Sequence, residues 1–193
     1  PVDRYFEDGH YSYVNDRPYA GRMPGYAIPY YFLRLVVNKD TALVVLILLQ
    51  IILAAVGACF LALLAYRLSK SRRVFLLTLL FYGTSLYYLR YDFSSITESP
   101  STALFILFLY QFFTYWEEGH RTRLLWAGFF LTWAIFLRPF LGYILLPVGI
   151  LLLINGFQGH STLWHRIRPA FFFCLPFLIF EGAWITRNYQ ALN

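Results

Sequence analysis

Charge is scarce in this sequence. Of 193 residues, 13% are Asp, Glu, Lys or Arg, about half the share of an ordinary soluble domain. Cysteine occurs twice, at Cys59 and Cys174, each inside a long apolar run, which leaves no disulfide framework. There is no Gly-rich phosphate loop, nucleophile elbow, HExxH or paired CxxC. The four histidines (His10, His120, His160 and His165) fall between the apolar runs without ligand spacing, which argues against a zinc site. The basic residues punctuate apolar runs instead of lining one face, so nucleic acid is not an expected partner. Together these absences exclude a disordered chain, a disulfide scaffold and a soluble enzyme.

What is present is apolar bulk. The chain is 59% hydrophobic and 21% aromatic, with a mean hydropathy of +0.54. A water-soluble globule of this size cannot hide so many large apolar side chains, so the composition predicts an all-α integral membrane protein, a polytopic helical bundle. Crossing about 30 Å of hydrocarbon takes roughly 20 apolar helical residues. The runs predict six spans, over 41–66, 74–90, 100–116, 124–138, 140–157 and 169–186, making 41–193 a transmembrane domain. Residues 1–40 read as an outer loop with a short interfacial helix. The first forty residues show no targeting segment. The sequence starts at Pro1 and stops after Arg187–Asn193, so both ends read as cuts in a longer polypeptide.

Orientation follows from the connections. One side collects Arg67, Lys70, Arg72, Arg73, Arg121, Arg123, Arg166 and Arg168 against Glu117 and Glu118, a balance of +6. The other side's eight basic residues are matched by eight acids. Short, densely basic loops mark the cytoplasmic face. The 1–40 segment and the tips at 90–99, 138–140 and 187–193 are therefore expected outside, which for a bacterial inner membrane is the periplasm.

Four features on that outer side call for explanation. Arg22-Met23-Pro24-Gly25-Tyr26 combines a turn signal with an interfacial tyrosine; as ordinary structure it is an amphipathic loop. Arg90-Tyr91-Asp92 and Thr97-Glu98 place two carboxylates at a membrane boundary. Asp92 reads equally as a solvated loop charge, and Glu98, just before Ser99-Pro100, as a helix cap. Arg138-Pro139 divides two apolar runs. An arginine at bilayer depth is costly and points to function, and its fork suits phosphate or carboxylate; the plain alternative is a snorkelling helix end. Glu181 lies about 9 Å of helix rise from Arg187 and reads as a structural partner of Arg138 or Arg187.

The order of these motifs resembles a family. Arg22-Met23-Pro24-Gly25-Tyr26 resembles the R-x-P-G-Y-P stretch in the first outer loop of GT-C fold membrane glycosyltransferases. These are the relatives of dolichyl-phosphate-mannose–protein mannosyltransferase and of lipid A aminoarabinose transferase. Tyr87-Tyr88 followed by Ile96-Thr97-Glu98 is similar to their YY…(T)E segment. Phe136-Leu137-Arg138-Pro139 with Leu146-Pro147 is similar to L-x-R-P…LLP, and Ala183-Trp184 through Arg187-Asn188-Tyr189 to P-W-x-x-R-N-Y. Ala27 and Ala183 depart from the family's prolines. The family's acidic D-D/E…Y element would fall before Pro1, so the principal catalytic carboxylate is expected upstream, and the segment corresponds to outer loop one through helix seven.

The resemblance implies transfer of a sugar from a polyprenyl-phosphate carrier to a lipid, glycan or protein acceptor at the outer face, with inversion. Glu98 and Asp92 are then the candidate catalytic carboxylates, and Arg138, Arg187, Arg22 and Tyr26 the candidate substrate-binding residues. No cofactor is implied, and a divalent metal stays open. Two other readings use the same helices: a non-catalytic scaffold subunit of a larger membrane complex, and a transporter.

Overall fold

An apolar run becomes a helix in a membrane because nothing else satisfies its backbone. The computed structural model describes residues 2–8, 24–85, 97–159 and 163–192, and among these every regular element is helical. Two short helices, α1 (Val2–Asp8) and α2 (Ala27–Arg34), precede the long α3 (Lys39–Ser69). Asn38 caps α3 by accepting from the Thr41 backbone N–H at 2.9 Å. Then come α4 (Arg72–Gly83), α5 (Glu98–Glu118) and α6 (Arg121–Leu137). A 3₁₀ segment (Pro139–Ile144), α7 (Leu145–Gly159) and α8 (Leu163–Leu192) complete the order. Gly119 takes the left-handed conformation (φ 72°) that closes α5, which lets α6 turn straight back along it.

α5 and α6 form the central hairpin. α3 packs on α5, α8 packs on α6, α4 lies outside against α3, and α7 lies against α8. Large side chains interlock at the centre: Phe108 of α5, Leu124, Leu131 and Ile135 of α6, Leu152 of α7 and Phe173 of α8 are all buried. Small residues set the spacing, as in membrane bundles generally. A Cβ on Gly128 would stand 2.1 Å from the Phe173 carbonyl oxygen, so α6 and α8 touch backbone to backbone there. α8 continues through Pro169 and Pro176, and the Pro176 ring lies in the space beside Gly128.

The helices gather their ends at two levels. At one, Arg67 of α3 donates to Thr114 Oγ1 at 2.8 Å and pairs with Glu117 at 3.1 Å, while Arg123 of α6 pairs with Glu118 at 3.4 Å. At the other lie Gly25, the start of α5 and the end of α6.

Several expectations are corrected. The 74–90 run is helical over Arg72–Gly83 and ends where Thr84 Oγ1 donates to the Leu80 carbonyl; residues 86–96 lie outside the described residues. The 140–157 run is not one helix. Pro139 has no N–H, Arg138 before it is forced into an extended conformation (φ −140°, ψ 98°), and the chain winds as 3₁₀ before α7 begins. The last helix starts before Pro169, at Leu163. The outer segment has two helices among its described residues instead of one. By length and composition, two described helices are sufficient to cross a membrane, Lys39–Ser69 and Ile167–Gln190. α4 and α6, at 12 and 17 residues, are too short for that mark, and in α5 the Ser, Pro and Thr of the first turn with Tyr110, Gln111 and Tyr115 dilute the apolar run.

Candidate functional site

The site grows from three chain ends that converge at one level of the bundle. The first is the end of α6. Because Arg138 precedes a proline it leaves the helix in an extended conformation, while its backbone N–H still donates to Ala134 at 2.8 Å. Its guanidinium therefore springs from a fixed helix terminus. The second is the start of α5, where Glu98 is the first helical residue. Hydroxyls of Ser101 and Thr102 both donate to the Glu98 backbone carbonyl at 2.9 Å, so this turn is tied down locally. Arg138 Nη2 donates to Glu98 Oε1 across 40 residues of sequence. Both side chains stay about one-third exposed, at 33% and 36%, so the pair faces open space and is not sealed in the core. The Arg138 guanidinium also stands 5.8 Å from the Phe140 ring centre.

The third is the turn at Pro24-Gly25-Tyr26. Gly25 N–H donates to the Phe136 carbonyl at 3.2 Å. A Cβ at this position would meet Phe136 C at 2.5 Å and Leu137 N at 2.8 Å, so glycine alone allows the loop to lie on the end of α6. Tyr26, next along, donates from its hydroxyl to Gln50 Oε1 of α3 at 3.4 Å. Gln50 is buried, and an amide inside an otherwise apolar span is a functional signal.

Beside these residues is a cavity of about 270 Å³, walled by Tyr26 and Pro29, Leu46, Gln50 and Leu53 of α3, Pro100 and Leu104 of α5, and Phe129, Trp133 and Leu137 of α6. Pro100 stands two residues from Glu98 and Leu137 one from Arg138. The apolar chamber and the ionic pair therefore share one level of the bundle, without Glu98 or Arg138 lining the chamber itself.

Of the candidate residues, the structure joins Glu98 to Arg138 and sets Tyr26 against the adjoining cavity. Arg187 donates to Asn188 at 2.9 Å and lies 5.2 Å over the Trp184 ring on α8. Arg22 and Asp92 lie outside the described residues. Glu98, not Glu181, engages Arg138, and among the described residues Glu181 Oε2 is buried without a hydrogen-bond partner. Gln50 is not among the candidates above, and the one signal for it in the sequence is an amide inside the α3 apolar run. The roles of Phe129 and Trp133 as cavity walls left no signal in an evenly apolar helix. Among the described residues, no three His, Cys, Asp or Glu side chains gather as a metal site would require.

Outside the spans, a second ionic cluster fastens α1 to α2. Tyr30 Oη donates to Asp3 at 2.8 Å, and Arg34 Nε and Lys39 Nζ pair with Asp3 at 3.2 and 3.5 Å. Burial alone would raise the Asp3 pKa, but the Tyr30 hydrogen bond and the Lys39 and Arg34 charges outweigh it, and the carboxyl titrates below its usual range. Burial, with the Asp3 carboxylate beside it, pushes the Tyr30 hydroxyl up to about 12.

No curated protein and no solved structure matches the chain. The family model described as dolichyl-phosphate-mannose-protein mannosyltransferase does match, over residues 25–184. That match begins at the Gly25 turn and takes in Glu98, Arg138 and the whole α3–α7 bundle. The chain thus belongs to the dolichyl-phosphate-mannose-protein mannosyltransferase family, membrane glycosyltransferases of the GT-C type.

Proposed function

We propose that this protein moves a sugar from a polyprenyl-phosphate carrier to an acceptor hydroxyl at the outer face of a bacterial inner membrane. The observation that supports this most is the Arg138–Glu98 pair, about one-third exposed and at the same level of the bundle as an apolar cavity. A lipid-linked sugar phosphate has that same polarity, an anionic head on an apolar chain. Arg138 engages Glu98 through one nitrogen and has five N–H donors in a fixed fork, so it can meet a phosphate without abandoning its anchor.

In this reading the acceptor oxygen attacks the anomeric carbon from the face opposite the carrier. The C–O bond to phosphate breaks, its electron pair leaves with the phosphate, and the hydroxyl proton passes to a carboxylate. The configuration at the anomeric carbon inverts. Arg138, with Arg187 and Arg22, neutralises charge developing on the leaving phosphate once the bound carrier excludes water from the site. Glu98 and Asp92 are the acidic candidates near the acceptor, and Tyr26 covers the cavity. The acceptor is a lipid, a glycan or a protein.

The test is transfer from a radiolabelled polyprenyl-phosphate sugar by the purified protein reconstituted in liposomes. The reading expects a product of inverted configuration and its loss in Arg138→Ala. An Arg138→Ala protein as active as its parent would overturn the assignment.

A further inference from the structure

The most peripheral helix of the bundle carries a feature that sugar transfer does not use. α4 buries none of its residues, and its one substantial neighbour among the described residues is α3. One face bears a shallow groove of about 460 Å³ lined by Val74, Leu77, Thr78, Phe81, Tyr82 and Ser85. These positions advance by three and four, so they form a single stripe along the helix. The stripe rises about 16 Å, the depth of one bilayer leaflet.

The stripe begins beneath a cluster of cations. Lys70, Arg72 and Arg73 are exposed where α3 turns into α4, and Arg73 sits one helical turn above Leu77. The acids at this level do not balance them. Glu117 and Glu118 are engaged by Arg67 and Arg123. Among the described residues Lys70, Arg72 and Arg73 form no ion pair. Exposed Leu68 flanks the cluster, and exposed Leu76, Leu80 and Phe81 continue the apolar surface down α4. Three unbalanced cations at the head of a leaflet-deep apolar stripe are complementary to an anionic glycerophospholipid, phosphate at the arginines and acyl chain along the stripe. The Arg138–Glu98 site lies at the opposite level of the bundle.

We infer that the Lys70–Arg73 turn and the Val74–Ser85 stripe of α4 hold an anionic phospholipid of the leaflet opposite the Arg138 site. The occupant is selected by charge and not merely by apolarity.

The experiment places a bimane fluorophore at Leu77→Cys in the full protein, with Cys59→Ala and Cys174→Ala. The protein is reconstituted in phosphatidylcholine vesicles containing brominated phosphatidylglycerol or, separately, brominated phosphatidylcholine. The expected result is stronger quenching by the brominated phosphatidylglycerol at equal mole fraction. Its apparent affinity should fall about fivefold for each arginine removed in Arg72→Gln and Arg73→Gln, and Arg72→Lys with Arg73→Lys should retain it. Equal quenching by both lipids would make the face ordinary annular surface. Preference surviving the double glutamine variant would detach it from these cations. No quenching by either would mean that protein covers the face. Each of these three outcomes overturns the proposal.

Discussion

Arg138 and Glu98, 40 residues apart in the chain, meet because α5 begins at the level where α6 ends. Glu98 does not bond the free amides of its own helix with its side chain; that side chain reaches across to the next one. The pair is also too exposed to be a strong structural tie, since open ion pairs are worth about 0–1 kcal/mol. Glu98→Gln should therefore cost little stability. If Glu98 positions Arg138, kcat should fall by about tenfold or more while the thermal midpoint moves by a few degrees at most. Equal small effects on both would reduce Glu98 to a surface charge.

The Gly25 turn makes a second prediction. Gly25→Ala places a methyl group 2.5 Å from Phe136 C, where only backbone is available to move. The loop must lift, losing its hydrogen bond to Phe136, at a cost of roughly 1–3 kcal/mol. Hydrogen exchange at residues 24–30 should quicken while α8 is unaffected. Unchanged exchange at 24–30 would contradict the close seating.

Glycines in the bundle form a graded series. Gly128→Ala drives a Cβ to 2.1 Å from the Phe173 carbonyl and should be the most destabilising. Gly57→Ala meets the Ala103 side chain at 3.0 Å and should cost less. Gly182→Ala meets nothing within 4 Å and should be neutral or stabilising, by up to about 1 kcal/mol of helix propensity. Thermal midpoints in one detergent rank the three; any other order would contradict the α6–α8 contact.

The Asp3 cluster predicts a pH window for the docking of α1. The folded pKa of Asp3 is depressed, so its contribution is present above the unfolded carboxyl range and is lost as pH falls through the lower folded value. The folded pKa of Tyr30 is raised from 10.0 to about 12, so its contribution is complete below pH 10.0 and disappears as pH rises through about 12. A spin label at Tyr5→Cys should be least mobile between those limits and more mobile beyond both. Constant mobility across that range would remove the Asp3 cluster as the clasp.

Much of this is legible in the sequence. The α3 run, bounded by Lys39-Asp40 and Arg67, announced its helix within three residues of both ends, because charges end apolar runs sharply. Arg138-Pro139 announced a break, since a proline removes a donor and forces an extended residue before it. The 3₁₀ winding after that break was hidden, as Leu, Gly, Tyr and Ile serve either helix equally. Passage of α8 through Pro169 was hidden too, because proline usually marks a helix start. Partners were the least legible. Glu181 and Glu98 are equally acidic in the sequence, and only the meeting of α5 and α6 selects Glu98 for Arg138. The cavity depends on which faces of evenly apolar helices turn inward, and periodicity carries no such information there.

The central claim is that Arg138 holds the carrier phosphate during transfer. Steady-state kinetics of the parent, Arg138→Lys and Arg138→Ala with a polyprenyl-phosphate sugar donor test it most directly. Removing the arginine should not impair insertion, since even a central arginine opposes it by about 2.5–3.5 kcal/mol on insertion scales and Arg138 stands at a helix end. Losing its charge-assisted contact should lower turnover by about 10²–10³ in Arg138→Ala. Arg138→Lys should recover part of that, as a point charge cannot reproduce the bidentate fork. Parental turnover in an inserted, folded Arg138→Ala protein would contradict the account.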